Sequence, residues 1–231
     1  MGNPKEHMMP IIVTGIQRSG SSIIATILKN GGVFTGVVNR MCENKQIKSI
    51  LNSEYKKNRL DIKGQFPIPF GNININETIV KDRIQNVLKY EGYKSGHWLI
   101  KSSRFLQTYR NWKRIYPQAQ WVIVKRKPSD VIQSCLKTDY MCAFNSSQVL
   151  DIVQARTIEK GWLWWIQQQD RLITELVMSE ANTFVVWPER MVDGDFGQME
   201  ELFARLQLSF ERTEVQKYIS RVFKNSPQNK L

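Results

Sequence analysis

A short stretch rich in glycine and serine carries residue types that bind an anion. Residues 11–14 are β-branched, as in a buried strand, and apolar residues at helical spacing follow from Ile23. Between them, Gly15 and Gly20 permit a tight turn from strand to helix. The start of a helix leaves backbone N–H groups unpaired, and these donors together with the helix dipole favour a phosphate or sulfate. We therefore predict an anion-binding loop, called the anion loop (residues 15–20).

The anion loop has the glycine spacing of a nucleotide-triphosphate loop but lacks the lysine of that loop. The residue after Gly20 is Ser21, and the basic residue is Arg18, inside the turn. Enzymes that cleave ATP or GTP use the missing lysine on the β- and γ-phosphates together with magnesium. Its absence argues against phosphoryl transfer from a triphosphate, although the anion cradle is retained.

A second basic position follows a later strand. Residues 120–125 are nearly all apolar, which is typical of a strand covered on both faces. Arg126 comes directly after this run, and Pro128 suits the first turn of a helix. Helical spacing then places Asp130 and Ser134 one turn apart, on the face opposite the apolar stripe. Because open α/β sheets bind ligands beyond the carboxyl ends of their strands, we expect Arg126 to face a ligand.

These two motifs resemble those of the sulfotransferases that use 3′-phosphoadenosine 5′-phosphosulfate (PAPS). The run Gln17-Arg18-Ser19-Gly20-Ser21-Ser22 is similar to the loop that binds the 5′-phosphosulfate in that family. The second motif, Arg126-x-Pro128-x-Asp130 followed by Ser134, is similar to the motif whose Arg and Ser hold the 3′-phosphate. The resemblance implies transfer of a sulfuryl group from PAPS to an acceptor hydroxyl or amine. It implies an in-line reaction that needs no metal and that leaves 3′-phosphoadenosine 5′-phosphate (PAP) as product.

The resemblance also implies which residues are catalytic. Lys101 begins Lys101-Ser102-Ser103, where cytosolic members have Lys-Thr-His with the Lys near the sulfate and the His as base. Ser103 replaces that His, and other branches of the family use a Glu shortly after the loop, a position that Glu43 matches. We expect one set of residues to take part in catalysis and a second set to bind the nucleotide. The catalytic set is Glu43, Lys101 and Arg18, and the nucleotide-binding set is Gln17, Arg18, Ser19, Gly20, Ser21, Ser22, Arg126 and Ser134.

Several alternatives remain open at this point. Lys101 could be a solvated strand-end residue, Glu43 could be a residue favoured by the dipole of a helix start, and His97 is expected to be structural. The whole chain could instead be a P-loop kinase of a nucleoside or small molecule, or a non-catalytic module that binds an anion or nucleotide. The acceptor could be a carbohydrate, a small alcohol or phenol, a peptide tyrosine or a lipid.

The composition favours an anionic ligand and disfavours nucleic acid as the main partner. The chain has 33 Lys and Arg against 21 Asp and Glu, a formal net charge of +12. Its basic residues are scattered and form no recognised nucleic-acid-reading motif. The cysteines, Cys42, Cys135 and Cys142, lack the spacing of a zinc site and suggest a reducing compartment. The sequence contains no apolar run of about 18 residues and no signal-peptide pattern, so we expect a cytoplasmic protein without a membrane span.

Apolar strands that alternate with amphipathic helices predict an α/β fold. We expect three layers, as in P-loop proteins, with a central parallel sheet flanked by helices in a single domain of residues 1–231 that ends in a polar tail from about residue 224. Strands are predicted at 11–14, 97–101, 120–125 and 183–187, with a short one at 33–35. Helices are predicted after the anion loop, at 43–57, 77–90 and 104–116, from Pro128, as one or two helices across 150–178, and at 196–206 and 211–223. The loop 61–76 is expected to be a lid or to lie on the acceptor side, and Trp162, Trp164 and Trp165 are expected to be core residues.

Overall fold

Four parallel strands form the centre of the structure. The structure is a computed structural model, and it describes residues 10–66, 73–179 and 182–224. The strands are β1 (Pro10–Gly15), β2 (Trp98–Lys101), β3 (Gln120–Val124) and β4 (Thr183–Val186), and they lie in the order β2-β1-β3-β4. In register, Ile12 of β1 pairs with Ile100 of β2 and with Trp121 of β3. The predicted parallel sheet is therefore confirmed.

Helices cover both faces of the sheet and make three layers. Ile12, Ile100 and Ile123 face a core formed with helices α2 to α7, and the alternate residues Ile11 and Val122 face a core formed with α1, α8, α9 and α10. This alternation follows from the period-two geometry of a strand. The helices are α1 (Ser21–Asn30), α2 (Lys45–Lys57), α3 (Glu77–Tyr90), α4 (Tyr109–Ile115), α5 (Pro128–Leu136), α6 (Ser147–Ile152), α7 (Ile158–Ser179), α8 (Pro188–Val192), α9 (Gly197–Arg205) and α10 (Arg212–Lys224).

Several of the predicted elements differ in extent from those observed. The predicted strand at 33–35 is reduced to a single bridge, in which Phe34 pairs with Trp98. Helix α2 begins at Lys45 rather than at Glu43, because the Asn44 side chain caps it by accepting the N–H groups of residues 46 and 47. The predicted helix 104–116 starts as a 3₁₀ turn at Ser103–Phe105 and becomes α-helical only at Tyr109.

The region 150–178 contains two helices, and its tryptophans are mostly core residues. Gln154 adopts a positive φ of 54°, which a continuous α-helix cannot accommodate, so α6 and α7 are separate. Trp162 and Trp165 are fully buried, and Trp164 packs against the same core while remaining partly exposed. This confirms the core assignment made from the sequence.

Two remaining features concern the cysteines and the possibility of a membrane span. Cys42, Cys135 and Cys142 are free thiols. Within the described ranges, no helix combines the length and the apolar character needed to cross a bilayer. Most of the predicted polar tail lies outside the described residues.

Candidate active site

The strand order creates a crevice between β1 and β3. β2 is added on one side of β1, whereas β3 and β4 are added on the other side. The connections that leave β1 and β3 therefore run in opposite directions, which opens a crevice between these two strands. Ligands of open α/β sheets bind beyond the carboxyl ends of the strands at such a reversal. The anion loop follows β1 and Arg126 follows β3, and both predicted motifs therefore lie at this crevice.

Glycines let the anion loop turn tightly between β1 and α1. Gly15 lies against the backbone of the neighbouring strand, and a Cβ there would overlap the carbonyl oxygen of Val124. Arg18 has a φ of 70° and Gly20 a φ of 91°, so the chain is left-handed at two points within five residues. Gly20 also packs against Pro188 of α8. A side chain at Gly15 would open the loop.

Several polar groups of the anion loop have no partner within the described part of the chain. Gly20 caps α1 without a side-chain hydrogen bond, so the first N–H groups of that helix are uncapped. The Ser19 Oγ and Gln17 Oε1 atoms are buried and also lack a hydrogen-bond partner in the described part. Buried polar atoms are nearly always paired, and each exception therefore calls for a ligand or another explanation. The uncapped N–H groups and the Ser19 hydroxyl can donate hydrogen bonds to an anion, whereas Gln17 Oε1 can only accept one.

Arg18, Arg126 and Ser134 meet on one side of the anion loop. The Arg18 Nε atom donates to Ser134 Oγ at 2.9 Å, and Arg126 Nη1 donates to the Arg18 carbonyl oxygen at 3.2 Å. Asp130 lies 3.9 Å from Arg126, which is the outer limit of an ion pair. In the sequence, Arg18 belongs to the motif predicted to bind the 5′-phosphosulfate, and Arg126 and Ser134 belong to the motif predicted to bind the 3′-phosphate. The structure joins these motifs through the Arg18 side chain.

Lys101 and Glu43 meet on the other side, beside the start of α1. The Lys101 Nζ atom donates to Ser22 Oγ at 3.2 Å and lies 3.6 Å from Glu43 Oε1. Lys101 is only 8% exposed, and burial lowers the pKa of its ammonium group although the charge of Glu43 opposes this shift. A cation held at the start of α1 can balance negative charge that develops on an anion in the loop.

The Glu43 carboxylate is positioned by its own turn (residues 36–44), called the Glu43 turn. Asn39 accepts the Glu43 N–H through Oδ1 at 3.0 Å and donates to Glu43 Oε2 through Nδ2 at 3.1 Å. Lys48 donates to the same Oε2 at 2.6 Å. Burial alone would raise the pKa of Glu43, but the charge of Lys101 and the hydrogen bonds from Lys48 and Asn39 together lower it below its ordinary value. Glu43 is thus kept as a carboxylate, the form that can accept a proton.

The start of the predicted acceptor-side loop packs against the anion loop. The Gln17 Nε2 atom donates to the Lys63 carbonyl oxygen. Gln65, which is fully buried, donates to the Tyr140 carbonyl at 2.8 Å and accepts the Cys142 N–H at 3.1 Å. Residues 61–66 therefore bridge the anion loop and the segment after α5. Residues 67–72 of the predicted loop lie outside the described residues.

Some site residues could not be found from the sequence. Lys48 and Asn39 orient Glu43, but neither residue belongs to a recognisable sequence motif. Pro188 packs on Gly20, and Glu189 Oε1 accepts the backbone N–H of Lys127 at 3.0 Å before α5. His97 lies at the opposite, amino edge of the sheet, where its Nε2 atom is 2.9 Å from the Leu206 carbonyl oxygen.

A family model described as "Sulfotransferase family" matches residues 10–212 of this chain. The matched range includes the anion loop, the Glu43 turn, Lys101 and the Arg126 motif, and it extends through α9. The chain therefore belongs to the sulfotransferase family.

Solved sulfotransferase structures share the fold at low sequence identity. The structure of sulfotransferase STF9 from Mycobacterium avium superposes with a TM-score of 0.59 and 14% identity, over 96% of this chain and 69% of that one. Sulfotransferase STF1 from Mycobacterium tuberculosis gives a TM-score of 0.51 and 12% identity, over 92% of this chain and 71% of that one. These likenesses concern the fold alone. A search of curated proteins found none that matches this chain.

Proposed function

We propose that this protein transfers a sulfuryl group from PAPS to an acceptor hydroxyl or amine, in line and without a metal. The observation that carries the proposal is the position of the anion loop. It lies between exposed Arg18 and half-buried Arg126 on one side and the ion pair of buried Lys101 with half-buried Glu43 on the other. This arrangement offers binding groups for a nucleotide on one side and a cation and a carboxylate on the other.

The anion loop and the two arginines would bind the donor. Residues 17–22 would surround the 5′-phosphosulfate, where the unpaired Ser19 Oγ atom and the uncapped N–H groups of α1 supply donors. Arg126 and Ser134 would hold the 3′-phosphate that distinguishes PAPS from ordinary adenine nucleotides. Arg18 already touches Ser134, and its remaining guanidinium donors can reach toward either phosphate.

Lys101 and Glu43 would carry the chemical step. The acceptor oxygen forms a bond to sulfur while the bond between sulfur and the bridging phosphate oxygen breaks, and the electron pair of that bond leaves on the phosphate of PAP. Lys101, fixed against Ser22, would stabilise the negative charge that builds up on the phosphate. Glu43 would take the proton of the acceptor, and its lowered pKa keeps it ionised for that role.

Calorimetry with nucleotides tests the donor assignment. We expect PAP to bind at least about ten-fold more tightly than AMP or ATP, since a charge-assisted contact to the 3′-phosphate contributes about 1.5–3 kcal/mol. Binding should be unchanged by EDTA. Arg126→Ala should remove the preference for PAP, and Lys127→Ala, a change of an exposed neighbour, should retain it. Equal affinities for PAP and AMP, or binding abolished by EDTA, would exclude the proposal and favour a kinase or another nucleotide-binding module.

A further inference from the structure

Arg104 is a buried cation without a carboxylate partner. Among the described residues, three charged side chains are almost fully buried: Glu54, Lys101 and Arg104. Glu54 pairs with Lys57 at 2.8 Å, and Lys101 pairs with Glu43. Arg104 is 6% exposed, and no Asp or Glu of the described chain lies within ion-pair distance of it. Buried charges are normally paired, so this exception indicates a missing anion.

Only neutral groups hold the Arg104 guanidinium in place. Its Nη1 atom donates to Asn52 Oδ1 at 2.7 Å and to the Ile62 carbonyl oxygen at 3.1 Å, and its plane lies over the Tyr55 ring at 4.8 Å. The Nε atom reaches Ser102 Oγ at 3.5 Å. These contacts fix the orientation of the side chain but leave its charge uncompensated. The Nη2 atom, with two N–H donors, has no acceptor in the described part of the chain.

The unpaired charge lies beside the proposed catalytic pair. Arg104 lines the same small cavity as Glu43, Lys48 and Lys101. An anion that paired with Arg104 would therefore lie in the cavity that Glu43, the proposed base, also lines.

A second cation without a carboxylate partner lies at the same place. The Lys63 ammonium group is 3.3 Å from Cys142 Sγ and 5.4 Å from the centre of the Tyr140 ring. The nearby Asp61 carboxylate accepts the N–H groups of residues 63, 65 and 66 and forms no ion pair with Lys63 or Arg104 in the described part of the chain, so one carboxylate faces two cations here. The acceptor side of the site therefore has a surplus of positive charge.

From this arrangement we infer that the acceptor is a hydroxy-carboxylate, whose carboxylate binds Arg104 while its hydroxyl faces Glu43. The inference rests on the proposed function and deepens it by assigning the acceptor class. The free Nη2 atom offers a carboxylate two charge-assisted N–H donors, and Arg104 is already oriented by its neutral partners. Lys63, at the rim, adds attraction for the same charge.

Matched pairs of acceptors test the inference with labelled PAPS. Each pair differs only in a carboxylate and its neutral amide: 4-hydroxyphenylacetate and its amide, glucuronic acid and glucuronamide, and the N-acetylated, C-amidated Tyr-Glu and Tyr-Gln dipeptides. We expect kcat/KM to be at least about ten-fold higher for the acid in any pair that is turned over. In Arg104→Gln this ratio should fall to about one, whereas Arg104→Lys should retain part of it.

The ratio within a pair cancels any general loss of activity from disturbed packing. Arg110→Gln is the control, because Arg110 is exposed on α4 and pairs with Glu175, away from the site. If no pair is turned over, calorimetry on the PAP complex replaces the kinetics, and the acids should bind at least about ten-fold more tightly than the amides. Equal binding, or no binding of either member, overturns the inference about the acceptor while PAP binding still supports the proposed function. Failure to bind PAP selectively overturns the proposed function itself.

Discussion

Glu43→Gln is the sharpest test of the chemical step. Glutamine keeps the size of the side chain but cannot accept a proton from the acceptor, so we expect turnover at saturating donor to fall by at least about 100-fold. The Glu43 turn should persist, because Asn39 Oδ1 holds the backbone N–H of residue 43 rather than its side chain. PAP affinity should change little, since the anion loop does not depend on the carboxylate.

The same substitution has a second effect that the structure predicts. Lys101 is buried, and the charge of Glu43 is the largest of the effects that raise its pKa against burial. Without that charge, the pKa of Lys101 falls further and the ammonium group loses its counter-ion. Leaving a largely buried charge unpaired costs about 1–3 kcal/mol of folding free energy, less than for a fully buried pair because the Glu43 side chain is 16% exposed. Denaturant unfolding should show this loss.

A pH–rate profile separates the two effects. Lowering the pH from about 8 to about 6 favours the charged form of Lys101 but cannot restore a base. We expect the deficit of Glu43→Gln to persist throughout this range. Recovery at low pH, or turnover within a few-fold of the parent at every pH, would refute Glu43 as the base. Glu175→Gln, which removes an exposed carboxylate on α7, is the matched control and should leave the rate unchanged.

Three further predictions concern neighbouring residues. The pKa of Glu43 is lowered from its ordinary value of 4.5, so kcat/KM of the parent should fall with acid only below that pH. In Lys101→Met, which lacks a principal charge that lowers the pKa of Glu43, this fall should occur at a higher pH. An unchanged pH for the fall would contradict the electrostatic effect of Lys101 on Glu43. Arg18→Ala should lower the rate at saturating PAPS as well as donor affinity, and a change confined to affinity would remove its proposed role in the transition state. Gly15→Ala should lower the free energy of unfolding by about 1–3 kcal/mol in urea titrations, since the new methyl group overlaps the Val124 carbonyl oxygen. If neither the midpoint of the urea transition nor its slope changes, the anion loop accommodates the methyl group and the prediction is wrong.

Much of the fold could be predicted from the sequence, because its signals are local. Buried parallel strands appear as apolar runs, so β1 and β3 were found nearly to the residue, and glycines marked the anion loop. The prediction was less accurate where a side chain decides a boundary. The Asn44 cap makes α2 begin at Lys45, and this places Glu43 in a turn rather than in the helix.

The arrangement of the site was predicted only in part. The end of an apolar strand located Arg126 at the edge where open α/β sheets bind ligands, whereas Lys101 was assigned from the family resemblance. The contacts of Arg104 with Asn52 and Ile62 join residues more than 40 positions apart. The spacing of apolar residues contains no information on such side-chain contacts. We could therefore not infer from the sequence that Arg104 is buried or that Lys48 pairs with Glu43.

The central position of β1 has a consequence for how the protein folds during synthesis. β1 is made first, yet its two neighbours, β2 and β3, lie about 90 and 110 residues later in the chain. Until both have left the ribosome, β1 exposes two unpaired edges that can join other chains, and closing such long-range pairs slows folding. The anion loop is therefore synthesised early but acquires its shape only after residue 124, against which Gly15 packs, has been added. A nascent chain that stops before β3 should neither bind PAP nor remain soluble without a chaperone.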